Sequence, residues 1–150
     1  MKDEVVSVYA VGTSSDDELR EKNIIDNATM LLTFSRGTNV TLSLSRGANY
    51  GYDQRCEVFG TKGMVSVKNM AENATELANE DGLHRPKWMH SFPQRFAAAF
   101  EQEMDAFADT LLSGTRWPIE EKDCIAVQRI CDAALLSSET SRVIHLDDMP

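Results

Sequence analysis

The period of the hydrophobic pattern changes once along this sequence, and that change limits the folds the chain can adopt. In the first part, apolar and polar side chains alternate in short runs such as residues 4–11, which is the period of a β-strand. From Pro93 onward the apolar residues, among them Phe96, Phe100 and Met104, recur every three or four positions, which is the period of a helix. Strands followed by helices indicate an α+β fold.

Two hairpins are predicted from alternating runs that flank short turns containing glycine. Glycine supplies the positive φ that lets a second strand fold back beside the first. A G-x-x-G turn could also hold a phosphate, but that would need a helix directly after it, and residues 64–67 continue as an alternating run. The expected pairs are 27–34 with 38–45 around Gly37, and 54–59 with 64–68 around Gly60 and Gly63.

The remaining chain is predicted as an irregular stretch, two helices and a last strand. Residues 70–93 are polar and irregular, apart from a short strand at 74–78. One helix runs from Pro93 to Gly114, a second begins near Glu120, and a short strand follows at 142–146. The second helix is expected to turn inward Val127, Ile130, Cys131, Ala134 and Leu135, and to approach a sheet closely through Ala133, Ala134, Ser137 and Ser138.

These elements predict a single domain over residues 1–150. Its fold class is α+β, with one mainly antiparallel sheet, helices packed on one face, and no Rossmann domain. The other face of the sheet needs a cover, because the strand residues Met30, Leu32, Val40, Leu42 and Leu44 would give apolar side chains to both faces. We expect a homo-oligomer that pairs through this face, with a covering loop of the same chain as the alternative.

Charge and composition exclude several classes of function. The net charge of −9 at pH 7 disfavours nucleic acid as a partner. No run approaches the ~20 apolar residues that span a bilayer, and the first twelve residues do not resemble a secretory signal, so a cytoplasmic protein without a membrane partner is expected. Cys56, Cys124 and Cys131 are not at metal-ligand spacing, so we predict reduced core thiols and no metal site.

The most specific segment is residues 45–64, which read SRGANYGYDQRCEVFGTKGM. They resemble the SR-x-A-x-YGYDQR-x-EVFG-x-KGM signature of myo-inositol 2-dehydrogenases, which belong to the Gfo/Idh/MocA oxidoreductases. The sequence VYAVG at 8–12 is similar to the strand that opens the second domain of that family, and Phe92, Arg95 and Phe96 agree with its later part. The resemblance covers nearly the whole chain.

The resemblance implies a two-domain enzyme of which only the second half is present. In the family, an N-terminal Rossmann domain binds NAD or NADP, and the C-terminal domain shapes the sugar or polyol pocket and builds the oligomer. This sequence contains no G-x-G-x-x-G after an opening strand, no Glu-Lys-Pro segment and no Asp-x-x-x-His helix, which the resemblance places before Met1. We therefore expect that the chain alone holds no cofactor and no catalytic residue, and is inactive. A stand-alone, non-catalytic oligomerisation or polyol-binding module is the alternative.

Tyr50 and Tyr52 are the substrate-binding candidates that the resemblance implies. A polyol is held by hydrogen bonds and by the edges of aromatic rings, and both tyrosines can supply these contacts. Alternation places the two rings on one side of a strand, but Gly51 between them can break that parity. Packing of one tyrosine within the sheet is the alternative.

Four further polar residues are predicted at a seam between domains or subunits. Asp53, Gln54 and Arg55 are expected to form a buried polar network, with an ion pair between Arg55 and Glu57 on one strand face. Arg46 is expected either to reach a substrate or cofactor phosphate in a complete enzyme, or to pair with an acid at the end of its strand.

Overall fold

A computed structural model describes residues 3–149 of the chain. Both predicted hairpins and both predicted helices are present. In chain order the elements are β1 (Val5–Thr13), α1 (Asp17–Glu21), β2 (Asn27–Phe34), β3 (Asn39–Ser45), β4 (Cys56–Gly60), β5 (Gly63–Val67), β6 (Leu77–Asn79), β7 (Gly82–His84), α2 (Phe92–Arg95), α3 (Ala97–Ser113), α4 (Glu121–Thr140) and β8 (Ile144–His145), followed by a 3-10 helix at Leu146–Asp148.

The contacts divide the chain into two compact units. The first unit comprises the segment up to Gly47 and the segment from Pro118 onward, and the second comprises Ala48–Trp117. The expectation of a single domain over residues 1–150 stays a prediction. The first unit contains a four-stranded sheet in the order β3-β2-β1-β8, in which every neighbouring pair is antiparallel. Helix α4 packs on this sheet, so the predicted α+β class is confirmed.

The core of the first unit lies between α4 and one face of the sheet. Val8 lies opposite Leu32, and both are buried together with Ala10, Ala133 and Ala134. Small side chains on the helix allow this close approach, as predicted. The prediction that the five named apolar residues of β2 and β3 serve both faces was wrong, because strand pairing puts all of them on the α4 face. Leu32 lies opposite Val40, Met30 opposite Leu42, and Leu44 opposite Ala28. The opposite face presents Tyr9, Val11 and Leu31 among threonine and serine side chains.

Ser137 connects α4 to the sheet through its side chain. Strand β8 pairs only with Ser7 and Val8 of β1, so it does not extend along β1 as far as Ala10. The amide of Ala10 donates instead to the Ser137 hydroxyl at 2.9 Å, and that hydroxyl donates to the carbonyl of Arg142 at 2.6 Å. Ser137 is fully buried, and its two hydrogen bonds satisfy polar groups that water cannot reach.

The inner face of α4 is narrower than the sequence predicts. Ile130 packs against the core as expected, but Val127, Cys131 and Leu135 are exposed. The buried positions of α4 are Ala133, Ala134 and Ser137, so the helix presents its small residues to the sheet and its larger ones elsewhere. Cys124 and Cys56 are also exposed, which corrects the prediction of core thiols.

The second unit contains two small hairpins and the helices α2 and α3. Strands β4 and β5 pair from Cys56 opposite Val67 to Gly60 opposite Gly63, so the G-x-x-G segment is a turn, as predicted. Strands β6 and β7 form a hairpin within the stretch predicted as irregular, and β6 begins later than the expected strand at 74–78. The predicted helix is interrupted at Phe96, which separates α2 from α3, and it ends at Gly114 in a left-handed conformation.

None of the residues from Ala48 to Trp117, which make up the second unit, is buried. The apolar stripe of α3 is present at the predicted spacing, but its members are largely exposed, among them Met104 and Leu111. The β4–β5 hairpin also exposes large apolar side chains, including 77% of Phe59 and 69% of Val65. A unit of 70 residues without buried side chains presents surfaces that suit a partner.

Candidate functional site

An open cleft of about 440 Å³ lies in the second unit beside the first predicted substrate residue. Asn49, Tyr50, Pro86, Lys87 and Trp88 line it. The rings of Tyr50 and Trp88 meet edge to face, with their centroids 5.3 Å apart and their planes at 85°. Such an aromatic pair gives a cleft the apolar surface on which the C–H face of a polyol ring can lie.

Backbone hydrogen bonds hold the Trp88 segment in place. Glu72 donates its amide to the Lys87 carbonyl at 3.0 Å, and Met89 donates to the Met70 carbonyl at 3.0 Å. The amide of Tyr52 then donates to the carbonyl of Met89 at 2.9 Å. This bond fastens the loop that carries Tyr50 and Tyr52, here called the tyrosine loop, to the same segment. The cleft is therefore built on paired backbone and not on side chains alone.

Gly51 permits the close approach of the tyrosine loop to Trp88. Its φ is +124°, a conformation that residues with a side chain rarely adopt. A Cβ at this position would lie 2.8 Å from the Trp88 Cβ and 3.1 Å from the Trp88 carbonyl oxygen. Residues 46–55 form a loop between β3 and β4, so strand alternation does not relate the two tyrosines, and their side chains have different surroundings.

Asp53 is the centre of a polar network behind the cleft. Arg55 donates to it from Nε at 2.8 Å and from Nη2 at 2.9 Å, in the bidentate arrangement that suits a carboxylate. Asn69 donates from Nδ2 at 2.6 Å, and the Tyr50 hydroxyl donates at 3.0 Å. Only 14% of the Asp53 side chain is exposed. The side-chain Oδ1 of Asn69 also accepts from the backbone amide of Gln54 at 2.8 Å, so the network includes the backbone.

The network lowers the pKa of Asp53 and raises the pKa values of Tyr50 and Arg55. The hydrogen bonds from Arg55, Asn69 and Tyr50 lower the pKa of Asp53 to about 2, against the opposing effect of burial. The bond to the Asp53 carboxylate and its negative charge raise the pKa of the Tyr50 phenol. The same carboxylate raises the pKa of Arg55. The site therefore holds an ionised aspartate and a protonated tyrosine at neutral pH.

Tyr52 has different surroundings from Tyr50. Its ring meets Phe96 edge to face with centroids 6.0 Å apart, and its hydroxyl donates to the Gln54 side chain at 3.2 Å. Arg95 lies over the other ring of this pair, 5.1 Å from the Phe96 centroid. The structure thus brings Tyr50 to the cleft and packs Tyr52 against Phe96, and a substrate contact of Tyr52 stays a prediction.

The four seam candidates are divided between the two units. Asp53 and Arg55 form the predicted polar network, but its ion pair joins Arg55 to Asp53, while Glu57 acts on Arg55 only through its charge. Gln54 and Arg55 are exposed, so the network is not buried in this chain. Arg46 belongs to the first unit, where its amide donates to the Asp26 carbonyl at 2.8 Å and its side chain is exposed. The seam itself stays a prediction.

Five residues of the site were not among the predicted candidates, namely Asn49, Asn69, Pro86, Lys87 and Trp88. Asn69 lies two residues after the end of β5, and the last three lie in the segment predicted as irregular. A tryptophan in an otherwise polar stretch was the available signal, because large aromatic side chains are rarely left without a contact. Asn69 carried no such signal, since its role depends on the pairing of β4 with β5.

The described residues do not fit a nicotinamide dinucleotide. A pyrophosphate needs a helix N-terminus that follows a glycine-rich turn, and acidic residues repel it. Helix α4 begins with Glu121 and Asp123 in its first turn, and α1 begins with Asp17 and Glu18. Helices α2 and α3 begin after Ser91 and Phe96 and do not follow a glycine-rich turn. Over residues 3–149, no group of three metal-ligating side chains is present, and no helix is long and apolar enough to cross a membrane.

Comparison with known proteins identifies the family. Residues 1–66 match the family described as GFO/IDH/MocA C-terminal domain. The chain is also 31% identical to the myo-inositol 2-dehydrogenase of Thermotoga maritima over 150 residues, which is 99% of this chain and 45% of that protein. The chain belongs to the GFO/IDH/MocA family. The resemblance carried by residues 45–64 is confirmed.

Solved structures share the fold of this GFO/IDH/MocA chain. A probable dehydrogenase from Thermotoga maritima superimposes with a TM-score of 0.93 at 30% identity, over 100% of this chain and 45% of that one. The scyllo-inositol dehydrogenase of Lactobacillus casei, solved with bound NAD(H) and scyllo-inositol, gives a TM-score of 0.89 at 26% identity, over 97% of this chain and 43% of that one. The chain spans less than half the length of these relatives.

Proposed function

We propose that this chain is the substrate-facing and subunit-pairing half of an inositol or sugar dehydrogenase, and that it is inactive alone. The observation that carries the proposal is the aromatic cleft beside Tyr50, in a chain that is similar to inositol dehydrogenases from end to end. A nicotinamide would accept the hydride in the complete enzyme, and the groups that hold it are proposed to lie in a separate Rossmann domain. The chain itself contributes binding and orientation of a polyol.

The exposed surfaces support a role in assembly. The sheet face opposite α4 presents Tyr9, Val11 and Leu31, whose exposed fractions are 37%, 50% and 43%. Threonine and serine side chains surround them and carry no charge, which suits pairing with a second copy. We also propose a cytoplasmic location, because the three cysteines are free thiols, which persist in reducing compartments.

The proposal is tested by complementation. The chain is mixed with the separately expressed cofactor-binding half of an inositol dehydrogenase, and NADH formation from myo-inositol is followed by absorbance. Neither half should turn over alone, and the mixture should. Turnover by the chain alone would contradict the claim of inactivity.

A second measurement separates the proposal from its alternative. Binding of myo-inositol to the isolated chain, without activity in any mixture, would favour a stand-alone binding module. Absence of both binding and complemented activity would contradict the substrate-facing role.

A further inference from the structure

The hydrogen-bond directions around Tyr50 restrict what the cleft can recognise. Arg55 and Asn69 donate N–H groups to Asp53, so the only proton in the Tyr50–Asp53 contact that can be shared is the phenolic one. The bidentate ion pair with the Arg55 guanidinium requires the ionised carboxylate, which has no proton to donate. Tyr50 is therefore the donor and Asp53 the acceptor of their 3.0 Å bond.

A phenol has one proton and two lone pairs. Because the proton of Tyr50 is directed to Asp53, its oxygen can only accept hydrogen bonds from a molecule in the cleft. We propose that Asp53 fixes Tyr50 as a hydrogen-bond acceptor, so that the cleft selects an uncharged hydroxyl group of a polyol and rejects a carboxylate or phosphate. This inference rests on the proposed function and adds a specificity rule to it.

Lys87 adds a second element to the rule. Its ammonium group is a donor without lone pairs, and it lines the same cleft as Tyr50. A hydroxyl group both donates and accepts, so neighbouring hydroxyls of one ring can serve Tyr50 and Lys87 together. A carboxylate can serve Lys87 only, because beside Tyr50 its oxygens would meet the lone pairs of the phenol and no donor. Asp53 is thus a positioning residue that acts through Tyr50.

The first test needs no ligand. The chain is labelled with ¹³C at Cζ of its three tyrosines, Tyr9, Tyr50 and Tyr52, and each phenol is titrated by NMR. Tyr50 should lose its proton at higher pH in the wild-type chain than in Asp53→Ala. An identical titration of Tyr50 in both proteins would overturn the proposed direction of the bond.

The second test measures selectivity. In a Trp117→Phe background, Trp88 is the only indole, and its fluorescence is followed during titration with myo-inositol and with D-glucuronate. We expect myo-inositol to bind at least about tenfold more tightly than D-glucuronate. Tyr50→Phe should weaken myo-inositol binding by about two- to tenfold, as expected for one hydrogen bond.

Tyr9→Phe is the matched control, because it removes one hydroxyl from β1 of the first unit, and Tyr9 is not among the residues that line the cleft. It should leave the affinity unchanged. Equal effects of the two substitutions, or binding of D-glucuronate as tight as that of myo-inositol, would overturn the inference while leaving polyol binding intact. If neither probe binds, the proposed function fails and the inference fails with it.

Discussion

Asp53 is the residue on which the order of the tyrosine loop depends. One carboxylate accepts four hydrogen bonds from three side chains, and all of them require its ionised form. Its pKa of about 2 lies below the ordinary value of about 3.9. A carboxyl whose pKa is lowered by folding contributes stability above its unfolded pKa, and loses that contribution as the pH falls through its folded pKa.

The acid stability of the second unit should therefore depend on Asp53. Urea unfolding followed by Trp88 fluorescence, in the Trp117→Phe background, should show stability falling between about pH 4 and pH 2. Asp53→Asn should be less stable at pH 7 and should show a smaller change over that interval. Asp105→Asn, which removes an exposed acid of α3, should retain the wild-type pH dependence. A wild-type profile in Asp53→Asn would contradict the prediction.

Gly51 should tolerate no side chain, for two independent reasons. Alanine would require a φ near +124° and would place its Cβ 2.8 Å from the Trp88 Cβ. Gly51→Ala is expected to destabilise the loop by about 1–3 kcal/mol and to change the near-ultraviolet circular dichroism of Trp88.

Gly47→Ala is the control for this substitution, since nothing lies within 4 Å of a Cβ built there. It should change stability by less than about 1 kcal/mol. Equal effects of the two alanines would show that the approach of Gly51 to Trp88 has no energetic importance.

For single residues, the sequence predicted which side chains belong to the Asp53 network, but it did not predict which of them bond to each other. Tyr50, Asp53 and Arg55 were named because residues 45–64 resemble a family signature. The partner of Arg55 was misassigned, because strand parity favours the pair Arg55 and Glu57, whereas these residues lie before and at the start of β4. Side chains in a loop are placed by tertiary contacts, and a periodic pattern carries no information about them.

Among the elements, α4 is attached to the sheet by a single buried polar group. Ser137→Ala would leave the buried amide of Ala10 and the part-buried carbonyl of Arg142 without this partner. The expected loss is about 1–3 kcal/mol in the free energy of unfolding, measured by urea denaturation.

Ser138→Ala provides the comparison, because that hydroxyl is exposed and bonds to the carbonyl of Leu135 within the same helix. Its effect should stay below about 0.5 kcal/mol. If Ser137→Ala is equally mild, water replaces the hydroxyl and the helix is held by packing alone.

The strands and helices were predicted well wherever the hydrophobic pattern repeated several times within the element. Strands β1 to β5 and the helices α3 and α4 lie within a few residues of their predicted bounds. The hairpin of β6 and β7 was missed because each strand has only three residues, too few to establish a period of two. The break at Phe96 was also missed, because the apolar spacing continues across it.

For the molecule as a whole, self-association is expected through the open face of the sheet. Leu31→Lys places a charge at the centre of that face and should raise the dissociation constant of the oligomer by about tenfold or more. Thr38→Lys adds the same charge in the exposed turn between β2 and β3 and should have no such effect. Sedimentation over a wide concentration range measures both, and a wild-type chain that is monomeric throughout would contradict the prediction.

The fold class and the family were predictable at this scale, and the division into two units was not. An antiparallel sheet with helices follows from the change of period between the first strands and Pro93. The exposure of the α3 stripe could not be foreseen, since an apolar face at helical spacing has the same appearance whether it meets the same chain or another one.

The lack of buried side chains in Ala48–Trp117 has a consequence for the lifetime of the protein. Segments with little buried apolar surface open at low free-energy cost, and opened segments are the ones that proteases cut. Amide hydrogens of this unit should exchange with solvent well before those of β1 and β2. Whatever molecule covers the unit would slow that opening, so the amount of this chain that survives degradation would follow the supply of its partner.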